Sequence, residues 1–187
     1  MAITRREQVL DAAITVLGTL GVRGVTHRAV DAEAGVPQGT TSNHFRTRDA
    51  LFEGVVERFA ERERAAFEEL ARAAEPRTPG ELATMLAEWV VAAVGPRREL
   101  TLARFAILVE AAIRPPLRRK LAEAAAEVRG WSTEWMRAAG SADPGRDVRY
   151  LANQVEALTL HQLAYPDPDF DPGPSLTALV TALVKAS

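Results

Sequence analysis

Apolar residues recur at intervals of three and four along nearly the whole chain, in runs cut apart by glycine and proline, and no run alternates by two. This periodicity calls for amphipathic helices and leaves no convincing strand. Val9, Leu10, Ala13, Val16, Leu17 and Leu20 form the first stripe, opened by a Thr4–Glu7 capping box and stopped at Gly21. Thr47 caps a long helix over about residues 48–74, with Leu51, Phe52, Val55, Val56, Phe59, Phe67 and Leu70 on one face. Thr78-Pro79-Gly80-Glu81 combines a cap, a proline at the first position and a glutamate at the third, and opens a helix over 79–94. Helices follow over about 97–113, from the Pro115-Pro116 break to 139, over 144–164 behind Asp143-Pro144, and over 175–186. The fold class is therefore all-α, with about nine helices.

The segment over residues 25–45, VTHRAVDAEAGVPQGTTSNHF, holds two short helices around a tight turn. Thr26 can cap the first, which runs to about Ala34, and Gly35 suits the left-handed position past a helix end. Pro37 can open the second, over about 38–44. Ala29, Val30, Ala34, Val36 and Phe45 can hold the pair together, while Gln38, Thr40, Thr41, Ser42 and Asn43 are short and polar. One helix that braces and one that offers hydrogen-bonding side chains make a helix-turn-helix, which reads base edges in the major groove. Gln38 can pair bidentately with adenine, and Thr40 or Thr41 can meet a thymine methyl or a phosphate.

Net charge is −2, from 23 basic and 25 acidic residues. Residues 1–48 hold six arginines against four acids, so this part carries +2 and the remainder −4. That asymmetry has the sign expected of a DNA-facing head on an acidic body. The chain has no cysteine, which excludes disulfides, zinc fingers and a cysteine nucleophile. No apolar run reaches the roughly 20 residues a membrane helix needs, and the N-terminal residues are charged and amphipathic rather than signal-like. A cytoplasmic protein without cofactor or metal is expected. Asp167-Pro168-Asp169-Phe170-Asp171 resembles the start of a calcium loop, but Gly173 comes late and position twelve is Ala178.

The order of an amphipathic helix, then THRAVDAEAGVPQGTTSNHF, then RTRDALF opening another helix, resembles the DNA-binding domain of the TetR family of transcriptional regulators. The resemblance covers about residues 4–60 and includes Gly35, Val36, Gly39, Thr40, the His44-Phe45 pair, and Arg48 before Ala50-Leu51. It implies a three-helix DNA-binding domain over 1–47 and a helical regulatory and dimerisation domain over 48–187. It implies base contacts from Arg28 and the second helix (Gln38, Thr40, Thr41, Ser42, Asn43) and phosphate contacts from Thr26, His44 and Arg48. The chain departs from the family pattern at Ser42, where an aromatic residue is usual, and at His44, where tyrosine is common.

The same resemblance implies a homodimer on a near-palindromic operator, associated with the nucleoid through that DNA, and released by a small-molecule effector. Trp89, Phe105, Leu108, Trp131, Trp135 and Met136 are candidates for an apolar effector pocket, and ordinary core is the plainer reading of the same residues. Arg104, Glu110, Asn153 and His161 are candidate polar groups beside it. Val148, Leu151, Val155 and Leu158 form one seam, and Leu176, Leu179, Val180, Leu183 and Val184 another. These can pack within one chain or meet their symmetry mates in a four-helix interface, and the dimer is preferred because one recognition helix covers only a half-site. A DNA-binding dimer that is constitutive, or controlled by a protein partner, is the alternative; an all-helical enzyme with a Glu110–His161 acid–base pair is a remote one.

Overall fold

The computed structural model describes residues 3–185, apart from the side chains of residues 124 and 127. Its helices are α1 (Arg5–Gly24), α2 (His27–Glu33), α3 (Thr40–His44), α4 (Arg48–Ala73), α5 (Pro79–Val94), α6 (Arg98–Ile113), α7 (Pro115–Ala138), α8 (Pro144–Ala164) and α9 (Gly173–Lys185). No strand occurs among the described residues. The last residue of the helix expected over 175–186 lies outside them.

Local start and stop signals account for most boundaries. The Thr4 hydroxyl accepts the Glu7 N–H while the Glu7 carboxylate accepts the Thr4 N–H, a reciprocal cap that begins α1. Gly21 leaves helical geometry at φ +68, and one more short turn follows before Val25. Thr78 caps α5 with Pro79 in its first turn, and Asp143 caps α8 ahead of Pro144.

The chain packs as two compact units that interleave in sequence: residues 1–65 with 98–125, and residues 66–97 with 126–187. This differs from a simple division at residue 47. The first unit's core joins Val9, Leu10, Ala13 and Leu17 of α1 to Val30, Phe45, Leu51, Val55 and Phe59, and also to Ala103, Ile107 and Ala111 of α6 and Leu117 of α7. The helix-turn-helix thus shares its core with helices distant in sequence. Between α1 and α6 the approach is close enough to require Gly18, where a Cβ would stand 2.1 Å from the Glu99 carbonyl oxygen. On the outer side, Arg58 of α4 forks onto both carboxylate oxygens of Asp11 at 2.9 and 3.0 Å.

The second unit's core gathers Leu82, Met85 and Val90 of α5, Trp135 and Met136 of α7, Val148 and Leu151 of α8, and Leu176 and Val180 of α9. Four residues expected at a subunit seam (Val148, Leu151, Leu176 and Val180) are therefore buried within the chain. The other four (Val155, Leu158, Leu179 and Leu183) are partly buried against the same core. The stripes face inward because α5 packs on both α8 and α9. What α8 leaves exposed is Tyr150, Leu160 and, just past its end, Tyr165.

Candidate nucleic-acid interface

The bracing helix α2 starts where the sequence places it: the Thr26 hydroxyl accepts the Ala29 N–H at 3.2 Å. Gly35 takes φ +63, and the Val36 N–H returns to the Asp31 carbonyl, closing the turn. Here the structure departs from the expected second helix. α3 begins at Thr40 rather than at residue 38, because Gly39 adopts φ +93 and serves as its N-cap. Pro37 and Gln38 lie in the preceding turn.

Arg28, Gln38, Ser42 and Asn43 are exposed, as are Thr26 and His44. Thr40 is half-buried and donates its hydroxyl to the Pro37 carbonyl at 2.7 Å. Thr41 is a correction. It is fully buried, and its hydroxyl and N–H both donate to Asp31, at 2.5 and 2.8 Å, so it faces the protein and not the groove. Arg48 is also partly committed elsewhere: its guanidinium donates to the Val22 and Val25 carbonyls at 2.5 and 3.3 Å, tying the start of α4 to the end of α1. It remains exposed. Arg46, absent from the expected contacts, is an exposed cation directly after the His44-Phe45 pair.

Asp31 and His27 carry roles the sequence pattern did not single out. Nε2 of His27 donates to the Phe45 carbonyl at 2.7 Å, which ties the start of α2 to the end of α3. One carboxylate oxygen of Asp31 accepts the Gly39 N–H at 2.7 Å while the other serves Thr41. A signal for this pairing did exist: Gly39 has no side chain with which to cap α3, so a cap had to come from elsewhere.

Burial by itself raises the Asp31 carboxyl. The bonds from the Thr41 hydroxyl, the Thr41 N–H and the Gly39 N–H outweigh it, with a smaller contribution from His27, and hold the group below its ordinary value of 3.8. A carboxyl lowered in the folded state stabilises the fold fully above its unfolded pKa, and the contribution is lost as the pH falls through the folded value. Asp31→Asn is therefore expected to melt well below the parent protein at pH 7. The gap should narrow as the pH drops below about 3.8. Melting curves from pH 7 to pH 2 check this, and a gap that is independent of pH counts against it.

The candidate effector residues fall in both units. Trp135 and Met136 are buried in the second unit's core, and Trp131 is half-buried. Trp89 borders an open groove of about 610 Å³ with Leu70, Met85, Glu81, Glu88 and Arg97. Its ring lies 4.7 Å from that of Phe67 and carries the Arg97 guanidinium 4.8 Å from its centroid. Phe105 and Leu108 belong to the first unit. Of the polar candidates, Arg104 bonds Glu63 at 2.8 Å and Glu110 pairs with Arg114 at 3.0 Å; Asn153 and His161 are exposed.

A braced pair of short helices that exposes Gln38, Ser42 and Asn43 beside arginines defines a helix-turn-helix DNA-binding protein. Comparison with known proteins gives the family. Residues 9–55 match the profile described as bacterial regulatory proteins, tetR family, and residues 77–186 match the tetracyclin repressor-like C-terminal domain. The chain belongs to the TetR family of transcriptional regulators: it is a DNA-binding regulator and not an enzyme. Among solved structures, a TetR-family member from Streptomyces coelicolor A3 is 30% identical, with a TM-score of 0.70 over 97% of this chain and 98% of that one. The multidrug binding protein EbrR complexed with ethidium is 31% identical, with a TM-score of 0.69 over 98% and 99%. EbrR is also known complexed with proflavin and with imidazole. A regulator from Rhodococcus sp. Rha1, at 21% identity and a TM-score of 0.79 over 98% and 97%, shares the fold. No curated protein matches the sequence. No helix among the described residues is long and apolar enough to cross a membrane.

Proposed function

We propose that the protein is a homodimeric repressor that holds a near-palindromic operator and leaves it when a small molecule binds its C-terminal helical region. The observation that carries the DNA half is the exposed set Gln38, Ser42 and Asn43 on a braced helix-turn-helix, flanked by Arg28 and Arg46. One such helix covers a half-site, so specific binding needs two, about 34 Å apart along one face of the duplex. The exposed part of α8, with Tyr150 and Leu160, supplies apolar surface that the chain's own core leaves uncovered and so suits a second copy.

The effector half rests on likeness to EbrR, which is complexed with ethidium and proflavin. In this chain the groove bordered by Trp89 also carries the Glu81 and Glu88 carboxylates, and a flat organic cation there would take the place of the Arg97 guanidinium on the Trp89 ring. An effector releases DNA only through its different affinities for the two conformations.

Selecting genomic fragments on the purified protein at moderate salt tests the first half. A palindromic consensus is the expected result, and retention that is weak, salt-sensitive and blind to sequence counts against it. For the second half, all three tryptophans of the chain (Trp89, Trp131 and Trp135) lie in the second unit. Ethidium titrated into DNA-free protein is expected to quench their emission saturably. An emission that never saturates removes the cationic effector and leaves the constitutive or partner-controlled regulator.

A further inference from the structure

α3 is five residues long, far too short to persist on its own hydrogen bonds. Its N-cap, Gly39, offers no side chain to the first-turn N–H groups. Residue 31 of α2 meets that need from outside the helix. Its main-chain carbonyl accepts the Val36 N–H at 3.0 Å. Its carboxylate accepts the Gly39 N–H at 2.7 Å, the Thr41 N–H at 2.8 Å and the Thr41 hydroxyl at 2.5 Å. All four donors come from residues 36–41, the turn and the opening of α3. Asp31 is 2% exposed and Thr41 is 0%, so neither touches DNA. The base from which Asp31 reaches is itself fixed, since its neighbour Val30 is fully buried in the first unit's core.

We infer that Asp31 is a positioning residue for base recognition: its buried carboxylate, clamped on Gly39 and Thr41, sets where Gln38, Ser42 and Asn43 stand against the base edges. The inference rests on the DNA-binding reading above and assigns part of its specificity to a group that no base reaches. The peptide whose N–H Asp31 holds at Gly39 is the one that follows Gln38. Ser42 and Asn43 follow Thr41 within one helical turn. Base readout demands hydrogen-bond distances near 3 Å and good angles at several atoms together. Contacts from long exposed arginines to phosphate tolerate more displacement. Loss of the clamp therefore reduces discrimination between sequences more than general affinity, the reverse of losing a phosphate-binding arginine.

The test uses the full chain and two DNA duplexes: the fragment most enriched by selection on the parent protein, and a scrambled duplex of the same length and composition. Thr41→Val keeps the shape of the side chain and removes its hydroxyl; Thr41→Ser keeps the hydroxyl. Thr41→Val is expected to reduce the preference for the selected duplex about tenfold, the scale of a charge-assisted hydrogen bond, with affinity for the scrambled duplex changed less than about twofold. Thr41→Ser is expected to keep the preference. A folded Thr41→Val protein with its preference intact, or with both duplexes weakened equally, overturns the role.

Should Thr41→Val fail to fold, the double variant Asp31→Ala/Thr41→Val decides. It leaves no buried carboxylate short of partners, although the buried Thr41 N–H loses its acceptor, so it is expected to fold with reduced stability. It also leaves α3 uncapped, so its preference is expected to fall about tenfold or more. A double variant that retains the preference overturns the role, as does one that cannot fold, because Asp31 then serves the fold before recognition. A selection that returns no preferred fragment removes the DNA-recognition reading itself, whereas a preference that survives these substitutions removes only the part assigned to Asp31.

Discussion

Gly18→Ala is expected to lower the protein's stability by about 2–3 kcal/mol, or roughly 5–10 °C in melting temperature for a chain of this size. In an ordinary helix interior the same change would stabilise by up to about 1 kcal/mol, because alanine loses less backbone entropy on folding. Gly18 is not in an ordinary position. A Cβ there would lie 2.1 Å from the Glu99 carbonyl oxygen and 2.8 Å from its carbon. Both are main-chain atoms, so no change of rotamer relieves the overlap and α1 or the start of α6 has to move. Movement there disturbs Ala103 and Ile107, which are fully buried in the core that α6 shares with α1. Gly130→Ala is the matched control. It too lies in a helix, yet a Cβ at that position meets nothing within 4 Å, so a small gain is expected. Urea unfolding of both variants makes the comparison, and a Gly18→Ala protein as stable as its parent would mean that the two helices do not approach so closely.

What could be read from the sequence was local. The Thr4–Glu7 box, Thr78-Pro79 and Asp143-Pro144 each start a helix through atoms within four residues of one another, so the pattern and the physics coincide. Gly35 is another such case, since a left-handed turn requires little beyond glycine itself. What escaped was decided at a distance. A stripe such as Val148, Leu151 and Val155 says that one face is covered but not what covers it, and here the cover comes from the same chain. The composition of residues 38–44 says they are short and polar but cannot separate Thr41, which points at Asp31, from Ser42, which points outward. The first unit's core is completed by α6, which begins 74 residues after α1 ends. Arg48 shows the same limit: charge and position suit a phosphate, and the carbonyls at the end of α1 compete for the guanidinium.

Phe45→Ala is expected to be costlier still, by about 3–5 kcal/mol, the usual range for removing a buried aromatic ring. Phe45 ends α3, and its N–H closes that helix onto the Thr41 carbonyl at 2.8 Å while its own carbonyl is held by His27. Those main-chain bonds survive truncation, so the loss isolates what the ring does. The ring and a Leu10 methyl of α1 both close on Gly54 of α4, and the Arg6 guanidinium stands 5.2 Å from the ring centroid. At Gly54 a Cβ would stand 2.8 Å from the ring's Cε1 and 3.1 Å from a Leu10 methyl. Gly54→Ala alone is therefore expected to cost about 1–3 kcal/mol through overpacking. Because both changes act on the same contact, their effects are not additive. Leucine at position 45 withdraws the ring edge and makes room for the new methyl, so Phe45→Leu/Gly54→Ala is expected to be more stable than the two single losses imply, by about 1 kcal/mol. A double-mutant cycle in urea measures that coupling. Strictly additive losses would mean that the ring does not rest on Gly54. The expected coupling would place the far end of α3 on a packed aromatic contact, just as Asp31 holds its near end by hydrogen bonds, so that a five-residue helix is fixed at both ends by groups outside it.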